Sequence, residues 1–257
     1  MSIFRFRVFQ QYFSQKFRSF AEYPLNFSMT LFWSFFSLLV FYFFWSLVFS
    51  KGNVPNYNLS KIILYYLFVL GLQYNFDFVK DIRRSIIDGT IIQSIVRKIS
   101  LEEYFIYRGL SNFFVWRLVP FFIVLIVGIY FLGVSALFGM LIFLLGVIVG
   151  ILVYCLLISL SFWTGENWAL SAIIDEIIVL SSGGILPLDL FPVFFQVLLI
   201  DYLPFNLMFF IPAKVFLGDI AVSGFLLIKY LLWILALYLI LKFVVKRGLR
   251  KYEQLGG

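Results

Sequence analysis

Apolar residues run through this chain in long blocks separated by short charged or Pro/Gly-rich intervals. Leu25 to Phe49 carries no charge and follows Pro24, a residue suited to a helix's first turn, so it predicts a first membrane-spanning helix. After a polar turn at Ser50 to Asn56, a weaker second span is predicted near Leu59 to Phe78, its end occupied by Gln73, Asn75 and Asp77. Between Arg117 and Glu166 lie 48 uncharged residues, too many for one span and enough for two joined by a turn near Gly133 to Ala136. These two are read at 113–132 and 137–162. A fifth runs over 168–182, holds Asp175 and Glu176 side by side, and stops at Gly183-Gly184. In the next segment, 183–222, Pro187, Pro192, Pro204 and Pro212 interrupt any continuous helix. Two short helices near 189–200 and 204–217, dipping into the outer leaflet and returning, fit it better than another crossing. Irregular backbone survives at that depth only against protein or a wet cavity. A last span is expected at 224–243, with Lys229 near its outer end and the basic run Lys246 to Lys251 after it.

The first 24 residues follow another pattern. Phe6, Phe9, Phe13, Phe17 and Phe20 recur at spacings of three and four, which gathers them on one helix face and leaves Arg5, Gln10, Gln11, Ser14 and Arg18 for the others. This predicts an amphipathic helix lying in the membrane interface; a disordered basic tail is the alternative. The expected fold is an all-α integral membrane protein with an interfacial helix over 1–24 and a six-span membrane domain over 25–257. That domain includes a charged loop at 80–112 and re-entrant helices in 183–222.

Composition strengthens the membrane assignment. The 257 residues are 63% hydrophobic and 13% charged, against about 45–50% and about 25% in an ordinary soluble domain. Charge then sets orientation. Of 20 Lys and Arg residues, sixteen lie in the first 24 residues, in the 80–117 segment or from Lys242 onward, and only Lys51, Lys61, Lys214 and Lys229 lie elsewhere. By the positive-inside rule both termini and the 80–112 loop face the cytoplasm, in a multi-pass protein of the cell membrane. The net charge of +7 flanks apolar runs, which suits anionic lipid headgroups as partners rather than nucleic acid.

The side chains exclude much chemistry. There is no His and one cysteine, Cys155, so His/Cys metal sites, His-based catalysis and an internal disulfide are all excluded. No Gly-x-x-x-x-Gly-Lys-Ser/Thr stretch is present to cradle a nucleotide, so no catalytic, metal or cofactor site is expected, and any use of ATP must come through another polypeptide. Asp175 and Glu176 are about 100° apart on a helix and cannot face each other as a catalytic pair. They either bond between helices or line a path. Gly139, Gly146 and Gly150 fall near one side of the fourth span, a small-residue face for close helix packing inside the subunit, with a dimer seam as the alternative.

Three stretches resemble one family. Asp81-Ile82-Arg83-Arg84-Ser85-Ile86-Ile87-Asp88-Gly89-Thr90-Ile91 resembles the cytoplasmic loop of ABC-2-type exporter permeases. Gly183-Gly184-Ile185-Leu186-Pro187-Leu188-Asp189-Leu190-Phe191-Pro192, with Leu203-Pro204-Phe205, Pro212 and Leu217-Gly218, is similar to their outer re-entrant segment. The ending from Arg247 to Gly257 is similar to the tail of one permease branch. The resemblance implies a half-transporter that pairs with a second permease, identical or related, and with separate ATP-binding-cassette subunits. It further implies that the interfacial helix and the loop residues Arg83, Arg84, Asp88, Gly89, Thr90, Arg97 and Lys98 receive the ATPase's motion. Ile86, Ile87, Ile91, Ile92 and Ile95 can supply that loop with an apolar docking face. Gly183, Gly184, Pro187, Pro192 and Pro204 would form the outer gate. Relatives often carry Arg-Pro where this chain has Arg97-Lys98, which implies a turn of different shape. A self-contained secondary transporter or channel using Asp175, Glu176 and Lys229 stands as the alternative. The aromatic content of 22% suits an amphiphilic cargo and equally a lipid-facing surface.

Overall fold

A computed structural model describes residues 3–22, 24–73, 77–88, 100–164 and 168–254. Helix is the only regular structure among them. The main helices are α1 (Ile3–Glu22), α2 (Pro24–Lys51), α3 (Leu59–Leu72), α4 (Asp77–Ile87), α5 (Leu101–Leu132), α6 (Val134–Ser159), α7 (Trp168–Ser181), α8 (Val193–Tyr202), α9 (Phe205–Phe216) and α10 (Gly224–Gln254), with single turns of helix at Ser161–Thr164 and Leu188–Leu190.

Four of these, α2, α5, α6 and α10, are long and apolar enough to cross a membrane, and a fifth crossing is reached if the bent pair α8–α9 counts as one. The second expected span, 59–78, is shorter in the structure, where α3 ends at Leu72, whereas the fifth, expected over 168–182, is α7 itself; both are short for a crossing. α3 and α7 have 14 residues each, roughly 21 Å of helix at about 1.5 Å per residue, against a hydrocarbon layer of about 30 Å. α5 is longer than expected, starting at Leu101 instead of 113. The reason is a capping box: Ser100 accepts from the Glu103 N–H, and the Glu103 carboxylate accepts from the Ser100 N–H.

α6 is the central helix, with 72% of its apolar stretch buried, whereas α2 has 6% buried and turns Phe32, Trp33, Phe36, Phe43 and Leu47 outward. Side chains that large, exposed along a whole helix, are stable only out of water, against lipid or another membrane subunit. A side chain on Gly139 would meet the Phe216 backbone nitrogen at 2.6 Å, and one on Gly146 would meet the Leu207 carbonyl oxygen at 2.6 Å. The small-residue face of α6 is therefore the seat of α9 within the same chain.

α1 uses part of its apolar face on protein rather than lipid. Val8 and Tyr12 are buried, Phe9 meets Tyr107, Tyr12 meets Tyr104 and Phe20 meets Trp116, so α1 lies along the first half of α5. Asp81 of α4 is 3.8 Å from both Lys16 of α1 and Arg108 of α5. Its side chain is half exposed, so each pair contributes at most about 1 kcal/mol. In α4, Phe78, Val79, Ile82 and Ile86 are buried while Lys80, Asp81 and Arg84 face out, a one-sided helix packed on α5 and α6.

Candidate functional site

The sequence points to the charged loop, the Asp175–Glu176 pair and the 183–222 segment. From the loop, Arg83, Arg84 and Asp88 are described; Gly89, Thr90, Arg97 and Lys98 lie outside the described residues, as do Ile91, Ile92 and Ile95. Arg84 and Asp88 are exposed and Arg83 is half-buried, but Ile86 packs into the core. The apolar side of α4 is thus used within the chain, and its free face is the charged one.

Asp175 of α7 is half-buried, and Glu176 beside it is exposed. Asp175 feels the positive charges of Arg83 and Lys80 on α4. Burial pushes the Arg83 guanidinium down from its ordinary value, and the Asp175 carboxylate opposes that shift. Lys229 belongs elsewhere. Its ammonium donates to the Ile200 carbonyl at 2.8 Å and its charged neighbour is Asp201. Asn206 donates to the same carbonyl at 2.6 Å, so both side chains cap backbone left unpaired where α8 turns into α9. The structure does not gather Asp175, Glu176 and Lys229 into one path.

In the 183–222 segment, α7 ends in a Schellman motif. Gly183 N–H bonds the Leu180 carbonyl, Gly184 N–H bonds the Val179 carbonyl, and Gly183 has φ +83°. That left-handed conformation suits glycine, and a side chain there would also meet the Tyr65 hydroxyl at 2.7 Å. Pro187 precedes a single helical turn at Leu188–Leu190, and Pro192 immediately precedes α8. Pro204 opens the turn that begins α9. Prolines there forfeit no helical hydrogen bond. Between them α8 and α9 bend by 73°, and Gln196 ties the loop by donating to the carbonyls of Asp189 and Phe191.

Sequence reading missed the groups that hold this segment in place. Tyr65 donates to the Gly183 carbonyl at 2.6 Å and Tyr66 to the Ile185 carbonyl at 2.9 Å, both from α3. At the start of α3 lies an ion network. Lys214, 6% exposed, stands 2.7 Å from Asp189 and 3.0 Å from Asp219. Asp219 reaches Lys61 with its other oxygen at 2.7 Å. Tyr57 donates to Asp189 at 2.9 Å and lays its ring 4.4 Å from the Lys214 ammonium.

A second Schellman motif builds the network. Gly218, φ +80°, and Asp219 return their N–H groups to the carbonyls of Val215 and Lys214, which folds Asp219 back onto the Lys214 side chain. Burial raises the Asp219 carboxyl, but the hydrogen bonds from Lys61 and Lys214 outweigh it and hold the group below the ordinary aspartate value. Burial, then the Asp189 charge, raises the Tyr57 hydroxyl far above its usual range, so it stays a donor. The one available signal was Lys214 itself, the single charge between Tyr202 and Gly218.

Compared with known proteins, residues 35–256 match a family model described as ABC-2 family transporter protein. No curated protein matches the chain.

Proposed function

The chain belongs to the ABC-2 family of transporter proteins, and from that premise we propose that it is the permease subunit of an ATP-driven exporter. A separate ATP-binding subunit hydrolyses ATP and a second permease, identical or related, completes the path. The observation that carries this reading is the family match over most of the chain, including α4 and the 183–222 segment. It agrees with a sequence in which no P-loop can be found.

In this reading the chain makes six passes through the cell membrane with both termini cytoplasmic, the short helices α3 and α7 counted as spans completed by their neighbours. α1 lies at the cytoplasmic interface. The charged face of α4, with Arg84 and Asp88, and the loop after it through Gly89, Thr90, Arg97 and Lys98 receive the ATPase's stroke. The opposite charges of Arg83 on α4 and Asp175 on α7 attract each other. Gly183, Gly184, Pro187, Pro192 and Pro204 shape the outer gate, and the cargo is amphiphilic or drug-like.

Affinity purification of the chain from its native membrane, followed by subunit identification and counting, tests the proposal. A P-loop ATPase and a second permease copy or homologue should be recovered with it. Ion-driven transport by the chain alone in proteoliposomes would establish the secondary-transporter reading instead.

A further inference from the structure

The segment 183–222 rests on the membrane domain along two seams of different physical character. Toward α6 the contact is close-packed. Gly139 and Gly146 admit the backbone of Phe216 and Leu207 with no room for a side chain, and Tyr230 of α10 donates to the Leu207 carbonyl at 2.8 Å from a fully buried position. Parting this seam would open voids and leave buried polar groups unpaired, both costly.

Toward α3 the contact combines buried aromatic packing and one buried hydrogen bond with polar groups and an ion pair at a rim nearer solvent. It consists of Tyr65 on Gly183, Tyr66 on Ile185, Tyr57 on Asp189 and Lys61 on Asp219, with Phe68 against Phe216 below them. The side chains of Lys61 and Asp219 are 29% and 24% exposed. Water can replace that ion pair at small cost.

The network divides along the same line. Lys214, Asp189 and Asp219 all belong to the segment and remain bonded to one another if it moves as a body, whereas Tyr57 and Lys61 belong to the α2–α3 connection and α3. We propose that the outer mouth opens between α3 and the 183–222 segment, with Lys61–Asp219 as the ion pair that closes it, while the segment stays attached to α6 and α10. This rests on the transport reading given above. Lys214 is then a positioning residue that keeps two carboxylates together as one unit. Opening exposes the Lys61 ammonium on one lip and a net negative trio on the other.

Spin labels on full-length protein in a Cys155→Ser background test it by distance measurement. One pair, Ser60→Cys with Ala221→Cys, spans the α3 seam; the other, Val134→Cys with Ala221→Cys, spans the α6 seam. Lys61→Ala should add a longer population, shifted by several ångströms, to the first pair and leave the second unchanged. Lys61→Arg should keep the closed distance. Raised salt should act as Lys61→Ala does, because the pair is reachable by ions. An unchanged Ser60–Ala221 distance in Lys61→Ala, or lengthening of the Val134–Ala221 distance instead, overturns the proposal. The permease alone answers these arms, so they do not depend on an ATPase. Adding the purified ATPase with ATP and vanadate tests the transport reading separately: if Lys61→Ala lengthens the first distance but nucleotide does not, the seam stands and the ATP-driven reading falls.

Discussion

Tyr65 in the middle of α3 donates its hydroxyl to the carbonyl of Gly183, 118 positions later, at 2.6 Å and with both groups buried. The Schellman stop of α7 turns that carbonyl away from its own helix, and the tyrosine receives it. Tyr65→Phe would leave the carbonyl in an apolar site without a partner, a cost of about 1–3 kcal/mol. The purified variant should therefore melt several degrees lower in detergent. Tyr66→Phe, whose bond to Ile185 is only partly buried, should lower the melting temperature less.

The glycine face of α6 makes a second expectation. Gly139→Ala places a methyl group against the Phe216 backbone, which cannot rotate away as a side chain end could. Overpacking of this kind costs about 1–3 kcal/mol. Chemical-denaturation or thermal melts should show the loss, whereas Gly52→Ala, at a position with open space around it, should change little. Equal effects at the two positions would mean that α9 does not rest on α6 as described.

The long helices were legible because an uncharged run of more than twenty residues has one physical solution in a membrane. The stop at Gly183-Gly184 and the breaks at Pro192 and Pro204 were legible because glycine and proline act locally. The start of α5 was missed although Ser100 and Glu103 carry the capping pattern, since the charge in the 80–117 segment suggested a loop. The network of Tyr57, Lys61, Asp189, Lys214 and Asp219 could not be read from spacing. Its members come from three separate stretches of chain, and only the Schellman turn at Gly218 and the seating of α9 on α6 bring them together. Ile86 shows the reverse failure: an apolar residue in a charged stretch suggests a docking face, but packing within the chain takes it.

Within the network, Asp219 and Tyr57 should respond to pH only at the extremes. Asp219 is held below the ordinary aspartate value, so its contribution is fully present above that value and is lost as pH falls through its own lower pKa. Tyr57 is raised, so its contribution is fully present below the ordinary tyrosine value and declines as pH rises above it. From weakly acidic to weakly alkaline pH these two groups should leave the melting temperature flat. Asp219→Asn should lower that plateau and remove part of the acid limb. A midpoint near neutrality that vanishes in Asp219→Asn would contradict the assignment.

The coupling role proposed for α4 and its following loop makes the prediction on which ATP-driven transport depends. A soluble motor moves a membrane helix only through an exposed contact. α4 buries Phe78, Val79, Ile82 and Ile86 in the chain and presents Lys80 and Arg84 outward, with Asp88 exposed just after its end, so a motor that engages α4 meets a charged surface there. Reversing one charge and adding bulk beside it, in Asp88→Lys with Gly89→Trp, should disturb such an interface strongly, because charge complementarity and fit fail together. Asp88 is exposed and lies off the buried face of α4, and the expectation is that membrane insertion and melting temperature stay near wild type. The expected result is loss of the ATPase from the purified complex, or ATP hydrolysis that no longer drives export. A helix that merely lies on anionic lipid would behave oppositely, since an added Lys strengthens that contact. Retention of both the ATPase and transport in the double variant would place the coupling contact elsewhere on the chain.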